Sequence, residues 1–288
     1  MSVFMPSVGF GLITAAVLAI AAVGFTLQFA VTNVLNLAFA SIMTLAAFVA
    51  YWINQTGVSI WIALIASIAA GALISVALNY FVYSPFQRRG SAPITLVIVS
   101  LGMALILEFG TSAIVGGISV SYNMSQGSTV KFAGMILTTV QLIIIAISVV
   151  VMAGVYALLR YTKLGKAMRA TAANRMLARN SGIRASRVIA ITWALTGALC
   201  GLAGIVFAID VQSFDPTSTD IFLILILAAV FLGGPGHAYG AMLGALVIGL
   251  ATEVSAAYIQ SDYKYVVAFV ILLAMLAVRP TGLLGTRT

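Results

Sequence analysis

Apolar runs of about twenty residues recur along the whole chain, separated by polar breaks only a few residues long. A helix needs roughly 20 apolar residues to cross the hydrocarbon core of a bilayer. In lipid, every backbone N–H and C=O must also be matched within the protein. Repeated runs of that length therefore point to helices crossing a membrane. They fall at about 8–29, 37–53, 61–82, 94–115, 137–159, 188–209, 221–232, 241–258 and 265–278. Only 7% of the 288 residues are charged, against about 25% in a soluble domain. A soluble fold would leave large apolar faces uncovered. The expectation is an all-α, polytopic helical membrane protein, a single domain over 1–288 with about eight or nine transmembrane helices. The lower count applies if one short piece is re-entrant. The opening MSVFMPSVGF has no basic n-region or cleavage pattern, so the first run is expected to be a retained span.

The net charge of +8 reads as topology rather than as a nucleic-acid footprint, because Lys and Arg are retained on the cytoplasmic side. Eight of the fourteen basic residues lie in 160–187, a stretch with no Asp or Glu. If this island, Arg88–Arg89 and the tail from Arg279 to Arg287 share the cytoplasmic side, the N-terminus faces outward and the C-terminus is cytoplasmic. The loop holding Asp210, Asp215 and Asp220 then lies outside.

Conventional catalysis has little to work with. The chain has one histidine and one cysteine, and it lacks H-E-x-x-H, C-x-x-C and G-x-x-x-x-G-K-[ST] patterns. No catalytic residue, cofactor or metal site is expected. Cys200, in a Gly/Ala-rich run, reads as a small core residue. Gly197, Gly201 and Gly204, and Gly240 with Gly244, are spaced for close helix contact.

Two segments look like interrupted helices, 32–36 with Asn33 and Asn36, and 233–240 with Gly234 and His237. Non-helical backbone at membrane depth survives only when buried in protein or facing a water-filled cavity. Paired interruptions in the two halves of a transporter mark the substrate path. Ordinary surface turns are the other reading. Glu108 and Glu253 lie within apolar runs, where an acid is costly and usually faces a bundle interior or cavity. Both stand toward the C-terminal part of their runs, so headgroup positions remain open to them.

The island has helix-forming composition over 165–181. Ala167, Met168, Ala172, Met176 and Ala178 form an apolar stripe, flanked by Lys166, Arg169, Arg175 and Arg179, and Gly182 suits a C-terminal cap. Such a helix can lie on anionic lipid or dock in a groove of a partner. Spans fix both its ends, so movement imposed on it reaches the bundle, which favours mechanical coupling.

Four stretches together carry a resemblance: GFTLQFAVTNVLNLAFASIMTLAAFVAYW, TKLGKAMRATAANRMLARNSGIRASRVIAITWALTGALCGLAG, FLGGPGHAYGAMLGALVIGLATEVSAAY and YKYVVAFVILLAMLAVRPTGLLG. They are similar to the branched-chain amino acid ABC transporter permeases, specifically the shorter of the two paired permease types. The resemblance implies a transport subunit of the bacterial inner membrane, not an enzyme. Its expected partners are two cytosolic ATPase subunits, a second permease subunit (usually a different chain), a periplasmic substrate-binding protein and membrane lipid. It implies ATPase coupling through Gly165, Lys166, Arg169, Ala170, Asn174, Arg175 and Gly182, with Asn174 at a position often acidic; Glu253 and Pro280 also match.

One departure bears on the substrate. The family's opening break typically reads N-F-A-H-G-E, whereas this chain has Asn36, Leu37, Ala38, Phe39, Ala40 and Ser41. Span four carries Glu108 where the family usually has Gln. The candidate translocation pathway is Asn33, Asn36, Phe39, Ser41, Glu108, Gly234, His237 and Glu253. The expected function is import of branched-chain or related small amino acids. Urea, short amides or aromatic acids are the alternatives within the family. An ATP-independent secondary transporter using Glu108 and Glu253 is the alternative outside it.

Overall fold

The computed structural model describes residues 4–125, 127–132, 134–260, 263–279 and 281–284. Pro280 and Arg287 fall outside them. Among the described residues six helices are long and apolar enough to cross a membrane. They are α1 (Phe4–Thr32), α3 (Ile60–Leu78) running on to Arg88, α5 (Pro93–Val115), α6 (Thr139–Tyr161), α9 (Ala185–Val211) and α11 (Ala238–Tyr258). Three shorter apolar helices, α2 (Phe39–Gln55), α10 (Asp220–Gly233) and α12 (Lys264–Val278), take the remaining apolar runs. At 1.5 Å per residue, α1 is roughly 43 Å long and α10 roughly 21 Å, against a hydrocarbon core of about 30 Å. The helices are all where the apolar runs predict them, and their lengths decide which ones can cross alone.

Two local features depart from the run pattern. The third run, read as 61–82, is extended by helix as far as Arg88. A π-helical turn, Asn79–Tyr83, leads into α4 (Ser84–Arg88), with Pro85 in its first turn. A proline ring removes one helical N–H and clashes with the preceding turn, and a wider π turn just before it relieves that clash. The segment between α5 and α6 contains a hairpin of β1 (Thr129–Phe132) and β2 (Met135–Thr138). It is antiparallel, with Thr129 opposite Thr138 and Lys131 opposite Ile136.

The chain divides into two compact units. The first comprises residues up to Thr26, 123–152 and everything from Ile221 on. Here α10 and α11 meet through glycine: a Cβ on Gly240 would strike the Gly233 carbonyl, and one on Gly244 the Ala229 carbonyl. Gly249 of α11 lies against the backbone of Ala15, and the Ser148 hydroxyl donates to the Ala16 carbonyl at 2.8 Å. Beyond α12 the backbone returns to α10, with Leu283 N–H on the Leu232 carbonyl at 2.8 Å and Leu284 N–H on the Gly233 carbonyl at 3.1 Å.

The second unit holds 27–122 and 153–220, with α2, α3 and α9 packed together at its centre. Small residues again let the helices approach. A Cβ on Gly71 would collide with the Gly197 carbonyl, one on Gly201 with the Ser67 carbonyl, and one on Gly204 with the Met43 carbonyl. The Ser67 hydroxyl sits between two helices, 2.8 Å from the Gly201 carbonyl and 3.0 Å from the Ala46 carbonyl. Lipid offers little hydrophobic drive between helices, so dispersion and interhelical hydrogen bonds of this kind hold them. The seam was legible in the Gly197, Gly201 and Gly204 spacing. Cys200 in the same seam is buried, and its thiol lies 3.1 Å from the Phe39 carbonyl.

Candidate functional site

The basic island forms two short helices, where one was expected over 165–181. These are α7 (Lys163–Ala173) and α8 (Arg175–Asn180), both in the second unit. The break is Asn174, whose backbone is extended (φ −158°, ψ 108°). Its Oδ1 accepts from the N–H groups of Met176 and Leu177, each at 3.0 Å. An Asn side chain competes for backbone donors in this way, which is why it starts helices more readily than it continues them. Thr162 caps α7 likewise, accepting from Gly165 N–H at 3.0 Å. Gly182 (φ 81°) ends α8 in the left-handed conformation expected of a glycine cap.

The break redistributes the apolar stripe. Met168 and Ala178 are buried, while Met176 and Leu177 stand 68% and 63% exposed. Lys166, Arg169 and Arg175 are exposed, and Ala170 is half-buried between them. Gly165 is buried, and a Cβ there would collide with the carbonyls of Leu158 and Leu159 at the end of α6. It serves the fold-back of α7 onto its preceding helix. A cleft of about 420 Å³ lies between α8 and the start of α9, lined by Arg175, Arg179, Arg184, Gly182 and Ser186. Among the described residues no carboxylate lies within ion-pair distance of these three arginines. The cleft is therefore cationic and concave, and α8, which forms one side of it, also carries the exposed Met176 and Leu177.

The opening break, 33–38, lies between α1 and α2. Asn33 is exposed and left-handed (φ 53°). The N–H of Val34 finds the Thr32 hydroxyl at 3.3 Å, and that of Leu37 finds the Ser100 hydroxyl of α5 at 3.1 Å. Asn36 is buried, its Oδ1 accepting from the Tyr83 hydroxyl at 2.7 Å. Tyr83 stacks on Trp193 of α9, ring centroids 4.9 Å apart. Phe39 and Ser41, in the first turn of α2, are buried. Tyr83, Ser100 and Trp193 were not singled out in the sequence. Tyr83 sits among the polar-aromatic residues before Pro85, but Ser100 and Trp193 interrupt apolar runs without any periodic signal.

Gly234 and His237 form the α10–α11 turn in the first unit. Gly234 (φ 105°) and Gly236 (φ 87°) supply the positive φ values, and the Gly236 N–H donates to the Thr26 hydroxyl at 3.0 Å. His237 is half-buried, with Nδ1 unpartnered among the described residues. Glu253, also in this unit, lies near the end of α11. It accepts from Thr14 at 3.2 Å and pairs with Lys264 of α12 at 3.4 Å. Glu108, in the second unit, is in hydrogen-bonding contact with Asp220 at the start of α10. Nearby in the chain, Asp215 closes a tight turn, accepting from Thr217 N–H at 2.8 Å and from the Thr217 hydroxyl at 2.6 Å. Partial burial pushes the Asp215 carboxyl upward, but the Thr217 and Ser218 donors outweigh it and hold the group below its usual value. The expected pathway residues thus divide, with Asn33, Asn36, Phe39, Ser41 and Glu108 in one unit and Gly234, His237 and Glu253 in the other.

Three comparisons bear on this arrangement. The high-affinity branched-chain amino acid transport system permease protein LivH of Salmonella typhimurium is 28% identical over 280 residues, covering 93% of this chain and 91% of that protein. The ribose import permease protein RbsC of Escherichia coli K12 is 29% identical over 266 residues, covering 90% and 81%. The solved structure of PsaBC from Streptococcus pneumoniae in complex with Fab superposes with a TM-score of 0.53 at 16% identity, over 94% of this chain and 91% of that one. It shares the fold. The family model described as branched-chain amino acid transport system / permease component matches residues 7–276. This multi-helix membrane chain, with its capped basic helix pair and glycine-seamed bundle, belongs to that permease family.

Proposed function

We propose that the chain is the transmembrane permease subunit of an ATP-driven importer for branched-chain or related small amino acids. Its solute arrives from a periplasmic binding protein, and a second permease completes the pathway. Two cytosolic ATPase subunits drive it by docking on α7 and α8. The island and the C-terminus face the cytoplasm and, with the shorter helices α2, α10 and α12 counted as crossings, the N-terminus lies outside. The observation that carries this reading is the α7–α8 pair. It is basic and acid-free, it presents Met176 and Leu177 between arginines, and it is tied directly to α6 and α9. An exposed apolar patch rimmed by charge is a surface for a partner. Lys166, Arg169, Ala170 and Arg175 form the contact face, and Gly165, Asn174 and Gly182 hold its shape. A push on the pair travels along α9 into the centre of the second unit.

The test is reconstitution of the chain with its ATPases in vesicles, comparing leucine uptake with ATP hydrolysis. Arg169→Glu is expected to lower uptake at least ten-fold while the chain still inserts and ATP is still hydrolysed. Wild-type uptake in that variant would overturn the docking assignment. Uptake that proceeds without ATP and collapses in Glu108→Gln would replace it with an ion-coupled transporter.

A further inference from the structure

In the second unit Asn36, Tyr83 and Trp193 come together out of reach of solvent, and buried Asn79 lies one helical turn before Tyr83. Tyr83 and Trp193 are fully buried, Asn36 is 1% exposed and Asn79 8%. Tyr83 joins two of them, through its hydroxyl to Asn36 Oδ1 at 2.7 Å and through its ring to Trp193 at 4.9 Å. Asn79 precedes Tyr83 by four residues within the π-helical turn, and residues so spaced lie on one side of a helix. Asn36 Nδ2, Trp193 Nε1 and Asn79 Oδ1 have no hydrogen-bond partner among the described residues. Buried polar groups are nearly always satisfied, so two unmet donors on the partners of one tyrosine, with an unmet acceptor one helical turn before it, call for a ligand.

We propose that Asn36, Asn79, Tyr83 and Trp193 form a recognition site inside the bundle for a solute that carries an oxygen acceptor beside an N–H donor. The two N–H groups meet a carboxylate or carbonyl oxygen, and Asn79 Oδ1 accepts from an ammonium or amide N–H. None of the four is charged, and a net charge taken out of water needs a compensating partner. The site therefore suits solutes neutral overall, either a zwitterionic α-amino acid or a urea-like amide. The inference rests on the permease reading for its purpose. Trp193 lies on α9, eight residues beyond Ala185, or roughly 12 Å along the axis. Movement of α7 and α8 therefore reaches the site directly and can strengthen or release the grip on a solute.

Two measurements test it. Trp193→Phe keeps an aromatic ring against Tyr83 and removes the indole N–H together with the pyrrole half of the indole. In vesicles with the assembled transporter it is expected to lower leucine carried per ATP about ten-fold, the worth of one strong hydrogen bond, with hydrolysis itself unchanged. Separately, the full chain carrying Trp52→Phe and Trp61→Phe retains Trp193 as its sole tryptophan and is titrated in nanodiscs with leucine, urea and ribose. A saturable fluorescence change with leucine assigns the amino-acid form of the site, and one with urea assigns the amide form; ribose is expected to give none. An equal response to ribose, or no response to any of the three together with an unaltered transport ratio, overturns the site and leaves a structural network only. Should Trp193→Phe fail to assemble, the titration decides alone. ATP-independent uptake would overturn the permease reading, and the titration would still judge the site.

Discussion

The two helix interruptions, 33–38 in the second unit and 234–237 in the first, look alike in the sequence and are built by opposite means. The α10–α11 turn is made of backbone. Glycines supply its positive φ values, Gly233, Gly240 and Gly244 let the helices touch, and the N–H groups of Gly234, His237 and Ala241 bond within the turn or its flanking helices. The α1–α2 break is made of side chains. A non-glycine residue adopts the left-handed conformation at Asn33, hydroxyls from Thr32 and Ser100 hold the backbone, and Asn36 is fixed by Tyr83. In the backbone-built turn the one unmet side-chain atom among the described residues is His237 Nδ1. A break held by side chains brings polar groups into the bundle, and some of them keep unmet hydrogen-bonding capacity. The lesson is that the chemistry of a break, rather than its presence, separates a connector from a site.

The largest expected effect comes from the backbone-built turn. Gly240→Val forces a Cβ into the Gly233 carbonyl, which belongs to a helix end and has no rotamer to change. Overpacking of a close-packed contact costs about 1 to 3 kcal/mol, and more where backbone must move. The variant is expected to fall at the top of that range or above it. Thermal unfolding in detergent, followed by the monodisperse fraction on size exclusion, is the readout. A wild-type profile would mean that the helices separate freely there and that the glycine contact is incidental.

Next is the break held by side chains. Ser100→Ala removes the acceptor of the half-buried Leu37 N–H, at about 1 to 3 kcal/mol. Thr26→Val removes the matching hydroxyl from Gly236 in a turn otherwise held by its own backbone, and is expected to cost less. The two melts measured side by side give the ratio. If Thr26→Val proves the more damaging, the distinction between the two breaks fails.

The helices were legible because lipid forces each apolar run to satisfy its own backbone, so run length and punctuation suffice. The glycine seams were legible too, since small residues at a spacing of about four have few other uses in a membrane helix. The split of the island was hidden by composition. Residues 165–181 favour helix throughout, and only the competition of the Asn174 side chain for the Met176 and Leu177 donors interrupts it. The candidate site was half visible. Asn36 announces itself by breaking an apolar stretch. Trp193 looks like any buried aromatic, and its role depends on meeting Tyr83 from a helix more than a hundred residues away in the chain. The β-hairpin at 129–138 was missed because strands of four residues have too short a period to stand out beside a span.

The smallest expected effect concerns Asn33, and it asks whether that break needs its side chain or only its conformation. A left-handed backbone costs most L-residues about 1 to 2 kcal/mol, while Gly adopts it freely and Asn tolerates it. Asn33 is exposed and its φ is 53°. Asn33→Gly is therefore expected to leave the melt and the transport ratio within error. Asn33→Val is expected to lose about 1 to 2 kcal/mol, because a β-branched side chain fits that region worst. The pair divides the break into two parts. If both variants melt as wild type, the 33–38 segment does not hold the left-handed turn. If Asn33→Gly keeps its stability and loses transport, the Asn33 amide itself contacts the solute, and the site extends outward from Asn36 along the break.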